Sequence, residues 1–345
     1  MKLLEELCQA SAIPGREKAV ISIMERELKK TTDQVKTDNM GNVIGIKKCG
    51  IRNAPKVMIA GHMDEIGFIV SYIDDKTGFI RFNPRGGHIP KVLYSQRVKI
   101  CGKKEISGIV EGPPAFLAAD PADVKKSSDI RDFFIDTGLS ATVLKKQVSV
   151  GDMIVMEGPF VSQGDMIITK ALDDRVGCYV MLEAMKLLKK HKVDIYALGS
   201  SQEEVGARGA LSAAKDIQPD MGIALDVTAA FDTPGVEPHR MVTKLNQGTA
   251  IKINDQGSIS NHGIVEFLKK TATKNKIKYQ MEVLPFGGTD ARSMQFFGGG
   301  PVATISIPTR YVHSPHEMAS KKDIQASIKL LAKFLETCEN CRPEF

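Results

Sequence analysis

The chain has 345 residues, 42% of them hydrophobic and 26% charged, with a net charge of +6 and a pI near 8.8. That balance excludes a disordered or fibrous protein, and the length exceeds what one hydrophobic core normally serves, so two domains are expected. The excess lysine is scattered in pairs, Lys29-Lys30, Lys47-Lys48 and Lys189-Lys190 among them, which argues for solubility and against a nucleic-acid partner.

Met1 to Ala10 carries Glu5 and Glu6 where a signal peptide needs an unbroken apolar core, and no apolar run is long enough to cross a bilayer. The expected location is the cytoplasm, with no membrane partner. Six cysteines are too sparse for a disulfide framework, and Cys338 and Cys341 form a C-x-x-C without a second pair, which reads as incidental.

Leu3, Leu4 and Leu7 predict a short amphipathic helix that Ser11-Ala12-Ile13-Pro14-Gly15 breaks, and Val20, Met24 and Leu28 predict a second. After a strand at Asn42 to Ile46, Lys56 to Gly61 reads as a buried strand that delivers His62-Met63-Asp64-Glu65 at its end. From Gly67 to Gln163 the texture changes to short strands with turn signals. Phe68 to Ile73 and Phe79 to Phe82 flank one turn, Arg97 to Cys101 and Ile106 to Val110 another, and further strands fall at Phe133 to Ile135 and Met153 to Met156. This predicts a small closed or sandwiched β-domain over 67–163, inserted between 1–66 and 164–345 of an α/β domain. Ala118 to Arg131 is polar and is expected to be a mobile loop.

Asp173 and Asp174 open a helix in which Val176, Val180, Ala184 and Leu188 recur at helical spacing. Val193 to Gly199 is a buried strand, followed by Ser201-Gln202-Glu203-Glu204-Val205-Gly206. Met221 to Leu225 is another, ending at Asp226. Ile264, Phe267, Leu268 and Thr271 mark a further helix. Val302 to Ile307 is a strand that Pro308 ends, and it leads to Tyr311-Val312-His313-Ser314-Pro315. Ile324, Ile328, Leu331 and Leu335 form the buried stripe of the last helix, which Ser320 to Asp323 opens as a capping box.

His62, Asp173, Glu203 with Glu204, Asp226 and His313 thus each follow a strand or open a helix after one. In an α/β sheet the crevice outside the carboxyl ends of the strands is where ligands bind. Five or six oxygen and imidazole groups suit a pair of divalent cations: one carboxylate bridging both ions, with one His and one further carboxylate on each. No cysteine takes part, so zinc, cobalt and manganese are all compatible. Adjacent side chains diverge, so of Glu203 and Glu204 one can bind a cation while the other moves protons. Asp64, two residues after His62, is placed to orient that imidazole as an acceptor. Taken singly, each residue has a structural explanation as a helix cap, turn former or satisfied core histidine. His88, His191, His239 and His262 lie in turn-rich or lysine-rich stretches and are expected at the surface.

Six stretches in order, Ala60 to Gly67, Ala171 to Arg175, Gln202 to Gly206, Leu225 to Thr228, Gly288 to Ala291 and Tyr311 to Pro315, resemble the M42 family of dinuclear metallo-aminopeptidases. The resemblance implies a zinc-peptidase-like mixed-sheet catalytic domain with an inserted, barrel-like dimerisation domain. It implies a cytoplasmic enzyme that trims short peptides from the amino end, with subunits assembling as dimers into a dodecamer. By motif, Asp173 bridges two metal ions, His62 and Asp226 complete one site, and Glu204 and His313 the other. Glu203 is the general base, Asp64 supports the catalytic centre, and Asp290 touches the substrate's free amine. Ala115 departs from the family pattern, in which His is usual.

Three other readings remain open on the sequence: an amidohydrolase acting on acylated amino acids, a glycosidase, and a metal-binding assembly protein without chemistry. A glycosidase needs two carboxyls about 5–10 Å apart across a sugar and usually aromatic platforms. The absence of Trp and an aromatic content of 6% argue against it.

Overall fold

A computed structural model describes residues 1–112 and 129–345. Most of the loop expected over Ala118 to Arg131, and Ala115 with it, lies outside the described residues. Helices Lys2–Gln9 and Lys18–Leu28 come first, burying Leu4, Leu7, Val20, Met24 and Leu28 as their spacing dictates. Strands β1 (Gln34–Thr37), β2 (Val43–Lys47) and β3 (Lys56–His62) begin a large sheet. The chain then leaves it for β4 (Gly67–Ile73), β5 (Ile80–Arg85), β6 (Gln96–Cys101), β7 (Glu105–Glu111), β8 (Phe134–Asp136) and β9 (Met153–Met156).

These six strands close into an antiparallel barrel in the order β4-β5-β8-β7-β6-β9. Alternating side chains fill its interior: Phe68, Val70, Ile80, Phe82, Val98, Ile100, Val110, Ile135 and Ile154 are buried together. Each side chain of that size contributes about 1.5–3 kcal/mol by burial, so the barrel has a core of its own.

The chain returns through β10 (Val161–Gln163) and β11 (Met166–Thr169), then β12 (Asp194–Ser200), β13 (Met221–Ala229), β14 (Thr249–Asn254), β15 (Tyr279–Val283), β16 (Val302–Arg310) and β17 (Glu317–Ser320). The large sheet runs β1-β2-β12-β3-β13-β16-β17-β11-β10, with β14 on β16 and β15 on β14. The expected boundary at Gln163 therefore cuts the large sheet, because β10 pairs with β11 rather than with the barrel. β3 is parallel to β12 and β13, and β13 to β16. These strands are apolar along nearly their whole length because helices cover both faces. Leu172–Leu187, Lys321–Leu335 and the two first helices pack on one side. Arg208–Ile217 and Asp290–Gly298 pack on the other, through Ala210, Ala213, Ala214 and Met294. Among the described residues, no helix is long and apolar enough to cross a membrane.

A buried ion group marks where the barrel joins the sheet. Glu65, on the outgoing chain, accepts hydrogen bonds from Lys170 Nζ at 2.7 and 2.6 Å, on the returning chain. Arg175 lies 3.3 Å from the same carboxylate and donates to the carbonyls of Leu7 and Ala10.

Candidate metal centre

β12 stays paired with β3 as far as Ser200 and His62, but β13 pairs with β3 only up to Ala224 and Ala60 and then follows β16 to Ala229 and Thr309. β3 and β13 therefore part just before His62 and Asp226, opening a crevice at the carboxyl end of the sheet. Asp226 lies inside its strand, not at the end as expected, because β16 continues the pairing. Pro308 does not end β16 either. It falls where β14 has left, at Ser306, and before β17 joins, at Thr309, so its missing N–H interrupts neither ladder.

Five expected donors meet in this crevice. His62 Nε2 is 3.1 Å from Asp173 Oδ1, and His313 Nε2 is 3.3 Å from Asp173 Oδ2 and 3.4 Å from Glu204 Oε1. Ligand-capable atoms of His62, Asp173 and Asp226 lie within 4.8 Å of one another, and so do those of Asp173, Glu204 and His313. Asp173 is common to both groups. Glu203 stands beside them, its Oε2 3.9 Å from His62 Nε2.

The donors ride on backbone that buried carboxylates hold in place. Asp64, fully buried, accepts hydrogen bonds from the N–H groups of Glu203 and Glu204 at 3.0 and 3.1 Å. Its carboxylate is 3.6 Å from His62 Nδ1, whose nearer partner at 3.0 Å is the Asp64 carbonyl. Asp174 accepts from the N–H of His62 at 3.1 Å. Glu317 accepts from the N–H of Asp173 at 2.9 Å and of His313 at 2.8 Å. Several corners between these groups are left-handed at residues other than glycine: Ala171, Gln202, Ala207 and His313 have φ of 55°, 55°, 50° and 64°. Such conformations cost about 1–3 kcal/mol and persist only where surrounding contacts enforce them.

Glu317 carries no signal in the sequence beyond being acidic, and Asp174 stands in the Ala171 to Arg175 stretch without a role of its own being legible, since a clamp on two backbone groups leaves no spacing pattern. Two glycines of the barrel were equally hidden. Gly86 has φ +84°, and a Cβ there would lie 3.1 Å from Glu204 Oε2 and 2.4 Å from Ile66 Cγ2. A Cβ on Gly87 would lie 3.4 Å from His313 Nδ1. Only glycine lets the chain after β5 pass this close to the donors. His88, expected at the surface, is instead half-buried there. It stacks on Phe68 at 4.3 Å, its Nε2 lies 3.0 Å from the Gly67 carbonyl, and burial pulls its pKa down to about 4.

Electrostatics distinguish the members. Burial opposes ionisation of Asp173, but hydrogen bonds from His313 and His62 outweigh it and hold the carboxyl below the usual range. Burial likewise opposes charge on the imidazoles, yet His62 is raised by Asp173 and Asp64, and His313 is raised to about 12 by Glu204 and Asp173. Burial raises Asp226, Glu203 and Glu204. Negative neighbours add to it: Asp173 at Asp226, and Asp226 and Asp290 at Glu203. Acids thus outnumber bases in a dry crevice, and protons crowd where a larger positive charge is wanted. Glu204 Oε1 is buried and meets no hydrogen-bond geometry, its contact with His313 Nε2 at 3.4 Å being an ion pair. The oxygen and imidazole donors and the shared carboxylate fit a pair of divalent cations. Cys178 does not compete for them, since its thiol donates to the carbonyl of His62.

A cavity of about 860 Å³ opens beside the donors, walled by Val227 to Phe231 of the large sheet, by Phe286 to Thr289, and by Gly87 and Ile89 of the barrel. Asp290 is not brought to its lining. The residue is 2% exposed, its Oδ2 accepts a hydrogen bond from Ser200 Oγ, and burial raises its pKa to about 6.

Comparison with known proteins gives the same direction. The family model described as M42 glutamyl aminopeptidase matches residues 41–330. The structure superposes on an aminopeptidase of the archaeon Desulfurococcus kamchatkensis with a TM-score of 0.92 and 38% identity, covering 97% of this chain and 94% of the other. A lysyl aminopeptidase of Pyrococcus furiosus is 35% identical over 344 residues, 97% of this chain and 96% of its own. The TET1 peptidase of Pyrococcus horikoshii, described as assembling into a tetrahedron or a large octahedral shell, superposes with a TM-score of 0.85 and 28% identity over 97% of this chain and 99% of its own.

Proposed function

Because the chain belongs to the M42 glutamyl aminopeptidase family, we propose that it is a dinuclear metallo-aminopeptidase that removes N-terminal residues from short peptides. His62, Asp226 and Asp173 would hold one divalent cation, and Glu204, His313 and Asp173 the other, with zinc, cobalt or manganese suiting the donors. The observation that carries this reading is the position of Asp173, one oxygen on each imidazole at 3.1 and 3.3 Å. When bound, the cations acidify a water and polarise the carbonyl of the first peptide bond.

The chain's own residues supply the rest. Glu203 is adjacent to the donors but belongs to neither cluster. Burial and its acidic neighbours raise its pKa above the ordinary carboxylate value, and bound cations would oppose that rise and keep the carboxylate ionised, as a base requires. Glu203 takes the proton of the attacking water on its carboxylate and hands it to the departing amine. Asp64 positions Glu203 through the backbone N–H it accepts.

The domain division follows from the same reading: the barrel is an inserted subunit-contact domain, and the assembly is built from dimers into a larger closed particle. A size measurement on the purified protein reads the assembly directly. For the chemistry, Glu203→Gln is expected to keep two ions per chain and lose about 10²–10⁴-fold in turnover of aminoacyl anilides. Near-normal turnover by that variant would refute the assignment.

A further inference from the structure

The acids that line the 860 Å³ cavity, Asp173, Glu203, Glu204 and Asp226, all belong to the candidate metal centre. Two cations line it as well, Lys252 and Arg292. Lys252 is 1% exposed and spends its charge inside the wall, with Nζ 3.2 Å from Asp255 and 3.2 Å from Glu282. Glu282 is held in turn by a hydrogen bond from Thr228 Oγ1 at 2.7 Å.

Arg292 differs. It stands exposed in the first turn of the helix Asp290–Gly298, and among the described residues its guanidinium has neither an ion pair nor a hydrogen bond. Its stem is nevertheless seated. A Cβ on Gly257 would lie 3.1 Å from Arg292 Cδ, so that glycine leaves the bed along which the side chain runs.

We propose that Arg292 is a substrate-binding residue that pairs with a carboxylate on the substrate, an inference that rests on the peptidase reading above. Once cations occupy the donor set, the anion left in the cavity is Glu203, which faces the attacking water beside the cations, and the cavity offers the rest of a substrate one free guanidinium. A basic side chain finds no partner there, whereas a carboxylate meets a planar fork that matches it. Family membership does not set this preference, since the Pyrococcus furiosus relative is named a lysyl aminopeptidase. The carboxylate has two chemical sources: the side chain of an acidic N-terminal residue, or the free carboxyl terminus of a short peptide.

Two matched pairs separate them, measured on the zinc-loaded protein: glutamyl against glutaminyl p-nitroanilide, and Leu-Ala-Ala against its C-terminal amide. In one pair the acid is expected to show a KM about tenfold lower than its neutral partner, at similar kcat. Arg292→Gln abolishes that difference without affecting the neutral compound, and Arg292→Lys restores part of it. Equal KM values in both pairs, or a difference that survives Arg292→Gln, would overturn the proposal and leave the peptidase reading standing. If none of the four is turned over, and lysyl p-nitroanilide is not either, the peptidase reading fails. Calorimetry with the same compounds then decides for Arg292: a tenfold acid preference lost in Arg292→Gln keeps the carboxylate site, and its absence removes it.

Discussion

His62 and Asp226 project from strands β3 and β13 and are 2% and 6% exposed, whereas Glu204 and His313 ride on turns, and the side chain of His313 is 31% exposed. The strand-borne pair is positioned by sheet hydrogen bonds spread over many residues. The turn-borne pair depends on single carboxylates, Asp64 under Glu204 and Glu317 under His313. One centre thus joins a stiff half to a half whose geometry rests on a few contacts. Asp173, common to both, couples them.

The sharpest way to break this picture is to remove the coupling. Asp173→Ala is expected to lose both ions and roughly 10⁴-fold or more in peptidase turnover, read by metal analysis and anilide kinetics. Retention of one tight ion would mean that the halves are independent. A smaller effect is expected from Glu317→Gln, which keeps the size of the side chain but turns one acceptor into a donor facing an N–H. Metal affinity should fall about 10–100-fold. Because Glu317 also clamps the backbone of Asp173, both ions should weaken, but the ion of the turn-borne half loses the clamp on His313 as well and should leave first, so that dialysed protein passes through a one-ion state by native mass spectrometry. Equal weakening of both ions would contradict the division.

Among the described residues, the barrel's closest approach to the donors is at the soft half, through Gly86 and Gly87. Gly86→Ala forces a Cβ against Ile66 at a positive φ and is expected to cost about 1–3 kcal/mol in denaturant unfolding of the metal-free protein. The affinity lost should be that of the second ion. The smallest effect concerns His88. Its folded pKa of about 4 lies below the ordinary value of 6.5, so between those values the unfolded chain binds more protons. Its contribution to stability is complete above about pH 6.5 and is lost as pH falls through 4, by about 1–2 kcal/mol once solvent screening at this half-buried site has reduced the about 3 kcal/mol that the full displacement carries. His88→Gln should flatten that part of the stability profile. An unchanged slope would show that the imidazole is not the group responsible.

The same contrast explains what the sequence could disclose. Strand-borne donors announce themselves, because an apolar run with a histidine or aspartate near its end needs only local pattern to be seen. The barrel was legible for the same reason, since alternation and turn residues are local. Asp226 was assigned to a strand end because the apolar run stops there, while the strand itself continues on its pairing with β16. The turn-borne half owes its shape to left-handed corners at Gln202, Ala207 and His313, residues whose identity does not advertise that conformation. Glu317 acts on Asp173 across 144 positions of chain, and such a contact leaves no periodicity. Asp290 shows the limit from the other side, at one of its two oxygens. Its motif suggested contact with substrate, but its carboxyl turns inward to Ser200.

The pairing of Glu65 with Lys170 has a mechanical meaning. The barrel hangs from the sheet on two strands of chain, and this contact staples the outgoing one to the returning one in a place that water does not reach. Separating two such charges costs about 3–5 kcal/mol when one is left without a counterpart. The joint therefore behaves as a weld rather than a pivot, and a load applied to the barrel is passed on to the rim of the crevice.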